Sequence, residues 1–96
     1  MTKICAVAVR PDDGTRAVVT GADAVEFRLD LFPAVPDDFS FFSQPVPTIV
    51  TFRGCQEREI YEHAFASGAT YADIEGYSEF RDEFPGRTIC SLHDFD

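Results

Sequence analysis

Residues 25–31 read VEFRLDL, a stretch in which apolar and charged side chains alternate. Side chains of a β-strand point alternately to its two faces, so the pattern predicts a strand with one apolar and one charged face. We expect the apolar set to pack under helices and the charged set to share the opposite face; the two sets are Phe27, Leu29 and Leu31, and Glu26, Arg28 and Asp30. Charged side chains usually lie on solvated surfaces, so this strand alone does not indicate a functional site.

The composition is typical of one folded domain. The chain has 96 residues, of which 45% are hydrophobic and ten are phenylalanine, and we expect a single domain over residues 1–96. The formal net charge of −9 argues against nucleic acid or an anionic membrane as a partner. No apolar run is long enough to span a membrane and no signal peptide is visible, so we expect a cytoplasmic protein.

The cysteines do not indicate a disulfide framework or a zinc site. Cys5, Cys55 and Cys90 are odd in number, widely spaced and in no C-x-x-C pair. Cys5 and Cys90 lie within apolar, strand-like runs, so we expect them to be small buried hydrophobic residues.

Five strand-like segments alternate with helices or helix-length connections. The first, residues 3–9, is apolar almost throughout and predicts a strand buried on both faces. After Pro36, we expect Asp37 to cap a short helical stretch that carries three phenylalanines. The predicted strands are 3–9, 24–31, 48–52, 71–75 and 87–93, and the predicted helices are 15–21, 56–67 and 77–84.

The alternation repeats about every twenty residues, which is typical of βα units and a parallel sheet. Parallel α/β proteins place their chemistry at the carboxyl ends of the strands. Every predicted strand after the first ends in ionisable residues: Glu26, Arg28 and Asp30, then Arg53, then Asp73 and Glu75, then His93 and Asp94. This concentration of ionisable residues favours a functional site at the carboxyl ends of the strands over an ordinary solvated surface.

Four short motifs at these strand ends resemble a known family. They are E-x-R-x-D at 26–30, T-x-R at 51–53, D-x-E at 73–75 and S-x-H-D-F at 91–95. In that order they resemble the amino-terminal half of type I 3-dehydroquinate dehydratases, over about residues 3–96. The resemblance implies an α/β fold of the (β/α)8 TIM-barrel type, here a partial barrel of about five parallel strands with intervening helices.

The resemblance also implies an activity. The family is a lyase of the shikimate pathway, which leads to chorismate and the aromatic amino acids, and it converts 3-dehydroquinate to 3-dehydroshikimate and water. It uses no metal or diffusible cofactor. A lysine forms a Schiff base with the substrate ketone, and the iminium accepts electrons from the adjacent carbanion.

The resemblance assigns roles to individual residues. His93 would be the general acid and base, since an imidazole titrates near neutrality, and Glu57, with Glu59 as the alternative, would orient it. Three residues would bind the substrate's hydroxyl and carboxylate groups: Glu26, Arg28 and Arg53. The alternative for these three is a salt-bridge network that only supports the strand ends. Support roles would fall to Asp30, Asp73 and Glu75, and His63, in no motif, would be a surface residue.

The chain departs from the family pattern in ways that bear on activity. Arg58 and Glu59 stand where the family has two glycines. The family's Schiff-base lysine belongs on the strand after the histidine, before which this sequence stops, and the sole lysine, Lys3, matches no motif. The open sheet edge after the fifth strand invites pairing, so we expect a homo-oligomer or a complementary chain. We therefore expect a truncated or split enzyme, a half-barrel completed by a partner, or a protein that has lost the chemistry.

Two alternatives stay open. The chain could be a non-catalytic half-barrel remnant or subunit that binds a polyol acid or a partner chain. It could also be an unrelated β/α protein whose motifs match by chance.

Overall fold

The computed structural model describes residues 3–54, 57–75 and 88–91, which form an α/β fold around one parallel sheet. The five strands lie side by side in chain order, and each pairs in parallel with the next. The strands are β1 (Cys5–Ala8), β2 (Ala24–Arg28), β3 (Thr48–Thr51), β4 (Tyr71–Glu75) and β5 (Thr88–Ser91), and the helices are α1 (Asp13–Val19) and α2 (Arg58–Ala66). The predicted α/β class and parallel sheet are confirmed.

The hydrophobic core lies on one face of this sheet. Val25 and Phe27 of β2 and Val50 of β3 are fully buried there. Both helices contribute to the same cluster, through partly buried residues of α1 and through Tyr61 and Ala64 of α2. Successive side chains of β2 point to opposite faces, so Glu26 and Arg28 lie on the face away from the core, as the sequence predicts.

Helix α2 follows the predicted periodicity. Tyr61 and Ala64 are buried, and Ile60 and Phe65 pack against the core beside them. The helix is followed by Gly68, whose φ of +118° places it in the left-handed region that glycine tolerates best. The predicted glycine stop is therefore confirmed.

Aromatic side chains close the core above β2. Two consecutive residues, Phe41 and Phe42, lie with their ring centroids 4.9 Å and 5.1 Å from that of Phe27. They belong to a 3₁₀ turn over Ser40–Phe42. The N-cap residue of this turn is Phe39, so the expectation that Asp37 caps it was wrong. The Oδ1 atom of Asp38 accepts a 2.8 Å hydrogen bond from the backbone N–H of Ser40 at the start of the turn.

Strand β1 is not buried on both faces, and this prediction was wrong. Ala8 is buried, but Cys5 is exposed and Val7 retains 56% of its accessible surface. β1 pairs only with β2 among the described strands, and Cys5 and Val7 share the sheet face that carries Glu26, opposite to the core. An apolar run does not reveal which strand of a sheet lies at its edge.

Strand β2 is shorter than its alternating sequence predicts. It ends at Arg28, and Leu29–Leu31 form a 3₁₀ turn. Phe27 and Leu29 are buried as expected, whereas Leu31 is 52% exposed, because a 3₁₀ turn breaks the two-residue period of the strand. The predicted helix over 77–84 and the side chain of Cys90 lie outside the described residues.

Candidate functional site

The polar residues of the predicted site share one row at the carboxyl ends of neighbouring strands. The backbone register places Arg28 beside Thr51 and Thr51 beside Asp73. In a parallel sheet, residues in register point to the same face, so these side chains lie opposite to the core. Glu26 lies two residues before Arg28 in β2 and therefore on the same face of the sheet.

The 3₁₀ turn after β2 brings Asp30 back onto Arg28. Nη2 of Arg28 donates to Oδ2 of Asp30 at 2.6 Å, and Nε donates to Oδ1 at 3.1 Å. This two-point pairing fixes the plane of the guanidinium as well as its position. Both side chains are largely buried, with 20% of Arg28 and 16% of Asp30 accessible.

The charges of this pair reinforce each other. Hydrogen bonding to Asp30 raises the pKa of Arg28, and the carboxylates of Asp30, Glu26 and Asp73 add to that rise. Burial works to raise the pKa of Asp30, but the hydrogen bond and charge of Arg28, together with the backbone N–H groups of Asp30 and Arg53, outweigh it. The pKa of Asp30 therefore lies below its ordinary value. Arg28 and Asp30 form a charged pair at neutral pH.

Glu26 is held by a residue of the next strand. The hydroxyl of Thr51 donates a 2.6 Å hydrogen bond to Oε2 of Glu26. Thr51 is 1% exposed, so its hydroxyl is fixed by its surroundings and in turn fixes the carboxylate. The T-x-R motif marked Thr51 as part of the predicted site. Only the structure shows that its hydroxyl orients Glu26.

Arg53 carries a donor with no partner in the described part of the chain. Its Nε atom is buried and makes no hydrogen bond there. A buried donor left unsatisfied costs about 1–3 kcal/mol, so such groups commonly mark a position where a ligand, an ion or water binds.

The predicted catalytic pair is only partly described. Glu57 is exposed and directly precedes α2, with extended backbone angles (φ −97°, ψ 104°), and Glu59 lies exposed in the first turn of that helix. His93 lies outside the described residues, two positions after the end of β5. The proximity of Glu57 or Glu59 to His93 therefore stays a prediction.

Three other predicted positions have clear places. Asp73 lies in β4 in register with Thr51, and Glu75 ends β4 in register with Ser91. Lys3 precedes β1 and is exposed, so it lies at the amino-terminal end of the sheet, away from the site.

His63 is a surface residue, as expected, but it has a specific contact. Its ring stacks on Phe39, with 4.3 Å between centroids and an interplanar angle of 11°. Phe39 is 2% exposed, so the histidine covers the aromatic cluster from outside. No sequence pattern pairs these two residues, because the contact joins a loop to a helix.

The exposed Cys5 thiol lies on the same sheet face as Glu26. Although the residue is exposed, partial burial of its sulfur, followed by the charge of Glu26, raises the pKa of this thiol. The prediction of a buried Cys5 was therefore wrong, and the thiol is nevertheless kept in its protonated, less nucleophilic form at neutral pH.

The described residues contain neither a metal-binding cluster nor a membrane-spanning helix. Within residues 3–54, 57–75 and 88–91, no group of three or more His, Cys, Asp or Glu residues is arranged to hold a metal ion. No helix in those ranges is long and apolar enough to cross a membrane.

Comparisons with protein family models, curated proteins and solved structures found no match for this chain. The chemistry of the site therefore follows from its own residues. These are two arginines, a glutamate fixed by a threonine, and two aspartates, all at one edge of a parallel sheet.

Proposed function

We propose that this chain forms the amino-terminal half of a type I 3-dehydroquinate dehydratase-like lyase, built as a partial (β/α)8 barrel. The observation that carries the proposal is that Glu26, Arg28 and Arg53 follow the family's motifs and belong to adjacent carboxyl ends of one parallel sheet. The sequential strand order is the order that such a barrel requires.

The donor and acceptor groups suit a substrate with several hydroxyls and a carboxylate. Arg53 offers a buried N–H that no described residue uses, and Arg28 retains N–H groups beyond the two that Asp30 accepts. Glu26, with one oxygen bound by Thr51, has further lone pairs for a substrate hydroxyl. In this proposal the substrate's carboxylate and hydroxyls bind across β2 and β3.

His93 would act beside this surface as general acid and base. It would accept the proton next to the ketone carbon and return it to the departing hydroxyl, so that water leaves. Glu57, or Glu59 in its place, would orient the imidazole. No cofactor takes part in this scheme.

The scheme needs a lysine from outside these 96 residues. Its amine would condense with the substrate ketone, releasing one water, and the resulting iminium would accept the electron pair left by the proton. Hydrolysis of the product iminium would consume one water, restore the ketone and free the amine. A complementary chain would supply that lysine together with the remaining strands, and we propose such a complex in the cytoplasm as the active form. A homo-oligomer would cover the open sheet edge without supplying the lysine.

The alternative is a binding module without catalysis. The exposed apolar side chains of Val7 and Tyr71 lie on the same sheet face as the site and favour a partner at that face. Such a module would bind a polyol acid or a partner chain through the same arginines and would not convert it.

Measurements of ligand binding and of turnover distinguish the lyase from the non-catalytic binding module. Calorimetric titration of the chain with 3-dehydroquinate should show saturable binding, and the ultraviolet absorbance of the conjugated enone should reveal any product. We expect binding without turnover by the chain alone. A small primary amine such as ethylamine, added to replace the lysine, should restore product formation in the wild type and not in His93→Ala.

Matched variants define the site in the same assay. Arg53→Met removes the unpartnered donor and should weaken binding about tenfold or more, the loss expected for a charge-assisted hydrogen bond. Arg16→Met removes the same charge from an exposed side chain of α1 and should leave the affinity unchanged. Absence of binding by a folded wild-type chain would overturn the proposal, and binding without amine-dependent turnover would favour the module.

A further inference from the structure

A groove lies on the helix-covered side of the sheet, between the start of α1 and the segment that connects β2 to β3. Its volume is about 580 Å³, which falls within the range of sites that hold small molecules. One of its lining residues, Phe41, packs its ring against Phe27 on the core face of β2. Glu26 and Arg28 lie on the opposite face, so the groove is separate from the site at the strand ends.

Each side of the groove contributes one carboxylate. Asp12 lies just before α1, and Asp38 lies in the segment between β2 and β3. Asp38 accepts a 2.8 Å hydrogen bond from the backbone N–H of Ser40, which holds the pKa of its carboxyl below the ordinary value. None of the described residues that line the groove is a lysine or an arginine. The lining is therefore negatively charged at neutral pH.

Asp12 has a cationic neighbour outside the lining. Nη2 of Arg16 lies 3.2 Å from Oδ2 of Asp12, and 76% and 65% of the two side chains are exposed. Exposed ion pairs of this kind contribute only about 0–1 kcal/mol, because water screens the charges. A cationic ligand can therefore compete with Arg16 for this carboxylate.

The uncharged part of the lining suits a slender organic molecule. Hydroxyl oxygens come from Thr15, Ser40 and Ser43. Nε2 of Gln44 donates a 3.1 Å hydrogen bond to the carbonyl oxygen of Phe41, which leaves the amide oxygen of Gln44 as an acceptor. The half-buried ring of Phe41 and two prolines supply apolar surface. The groove thus combines hydrogen-bond acceptors with an apolar surface.

We propose that this groove binds an aliphatic diamine, with one ammonium group at Asp12, the other at Asp38 and the carbon chain against Phe41. An ammonium group has three N–H donors and no acceptor, so it matches a lining that consists mainly of acceptors. The face of an aromatic ring also attracts cations, and the carbon chain gains by covering apolar surface. The formal net charge of −9 favours the approach of a dication. The proposal goes beyond the proposed function and does not depend on it.

Nuclear magnetic resonance titration with cadaverine at physiological ionic strength tests the proposal. Salt screens unspecific attraction to the acidic chain, so the backbone amide resonances of Thr15 and Ser40 should shift saturably only if the groove is occupied. Pentylamine, which has one ammonium group, should bind more weakly, and the uncharged pentanediol should not bind. Absence of saturable shifts, or a diol that binds as tightly as the diamine, would overturn the proposal.

Charge-matched variants then locate the bound cations. Asp12→Asn and Asp38→Asn should each weaken cadaverine binding about threefold, the size expected for an exposed ion pair. Asparagine at position 38 still offers an oxygen to the N–H of Ser40, so the turn is preserved. Asp37→Asn removes the same charge from a neighbouring residue that is not part of the lining, and it should leave the affinity unchanged.

Removing the competing cation should have the opposite effect. Arg16→Met frees Asp12 and should tighten cadaverine binding about threefold. Equal losses in Asp37→Asn and Asp38→Asn would mean that cadaverine responds only to the net charge of the chain, and this result would refute a site in the groove.

Discussion

Arg53 combines a cost to folding with a proposed role in binding. Its buried Nε has no acceptor in the described part of the structure, and such an orphan donor destabilises the folded state. Proteins retain features of this kind where function needs them, so stability and binding should respond in opposite directions when the group is removed.

Arg53→Met should therefore stabilise the protein while it weakens binding. Removing the unsatisfied donor and keeping most of the side-chain volume should raise the free energy of unfolding by about 1 kcal/mol. Thermal unfolding followed by circular dichroism should show a melting temperature higher by roughly 4–8 °C. Arg16→Met is the control, with no change expected beyond about 0.5 kcal/mol; a lower melting temperature for Arg53→Met would mean that its guanidinium has a partner.

Asp30 should make stability depend on pH in the acid range. Its pKa in the folded protein is lowered, so the stability it contributes is fully present above the pKa of the unfolded chain. That contribution is lost as the pH falls through the folded value. The difference in unfolding free energy between wild type and Asp30→Asn should be largest near pH 7 and should shrink below about pH 4.

Urea unfolding at a series of pH values measures this difference directly. Subtracting the variant from the wild type at each pH cancels the other carboxylates that titrate in the same range. Asp12→Asn controls for the loss of an exposed ion pair. A difference that grew on acidification would contradict the assignment.

The contact between α1 and β2 depends on the absence of a side chain at Gly14. A Cβ at this position would overlap with Cζ of Phe27, a fully buried residue at the centre of the aromatic cluster. Ring contacts with Phe41 and Phe42 surround Phe27, so its ring has little room to move away. The close approach explains a glycine inside a helix, where it would otherwise be unfavourable.

Gly14→Ala should therefore destabilise the protein despite alanine's higher helix propensity. The gain in propensity is about 1 kcal/mol, whereas overpacking a tight core costs about 1–3 kcal/mol, so we expect a net loss of up to about 2 kcal/mol. Chemical denaturation provides the measurement, with Thr15→Ala on the exposed side of α1 as the control. A more stable Gly14→Ala would show that Phe27 relaxes freely.

Strands and helices with a clear alternation of apolar and polar residues could be predicted from the sequence, but the residues at which they end were harder to predict. Strand β4 was predicted over residues 71–75, as observed, because turn residues flank a short apolar and polar alternation. The end of β2 was missed because Leu29–Leu31 continue the alternating pattern while the backbone turns. Chemistry that depends on that turn, such as the contact of Asp30 with Arg28, could not be derived from periodicity.

The site itself was predictable as a location and not as a set of contacts. Parallel strand ends converge on one edge, so Glu26, Arg28 and Arg53 could be placed there from sequence. The hydrogen bond from Thr51 to Glu26 joins two strands and depends on their register. Register is determined by the packing of the whole sheet, and the sequence of one strand does not contain it.

At the scale of the whole molecule, one core should give one unfolding transition. Buried residues from β1 to β4 and from α2 form a single cluster, with residues of α1 packed against it. Urea unfolding monitored by tyrosine fluorescence, which reports on the buried Tyr61, should coincide with far-ultraviolet circular dichroism, which reports on the backbone. Separate midpoints would show that part of the sheet unfolds independently.

The sequential strand order bears on how the chain folds during its synthesis. Each strand is added beside the one made before it, so no later strand has to be inserted between two that have already paired. Translation proceeds at roughly 5–20 residues per second, which is slow compared with the formation of local structure. Once residue 53 has left the ribosome, β1 to β3 and the contact of Asp30 with Arg28 can form. The row of charged side chains at these strand ends is thus assembled from residues that emerge before β4 is available to support it.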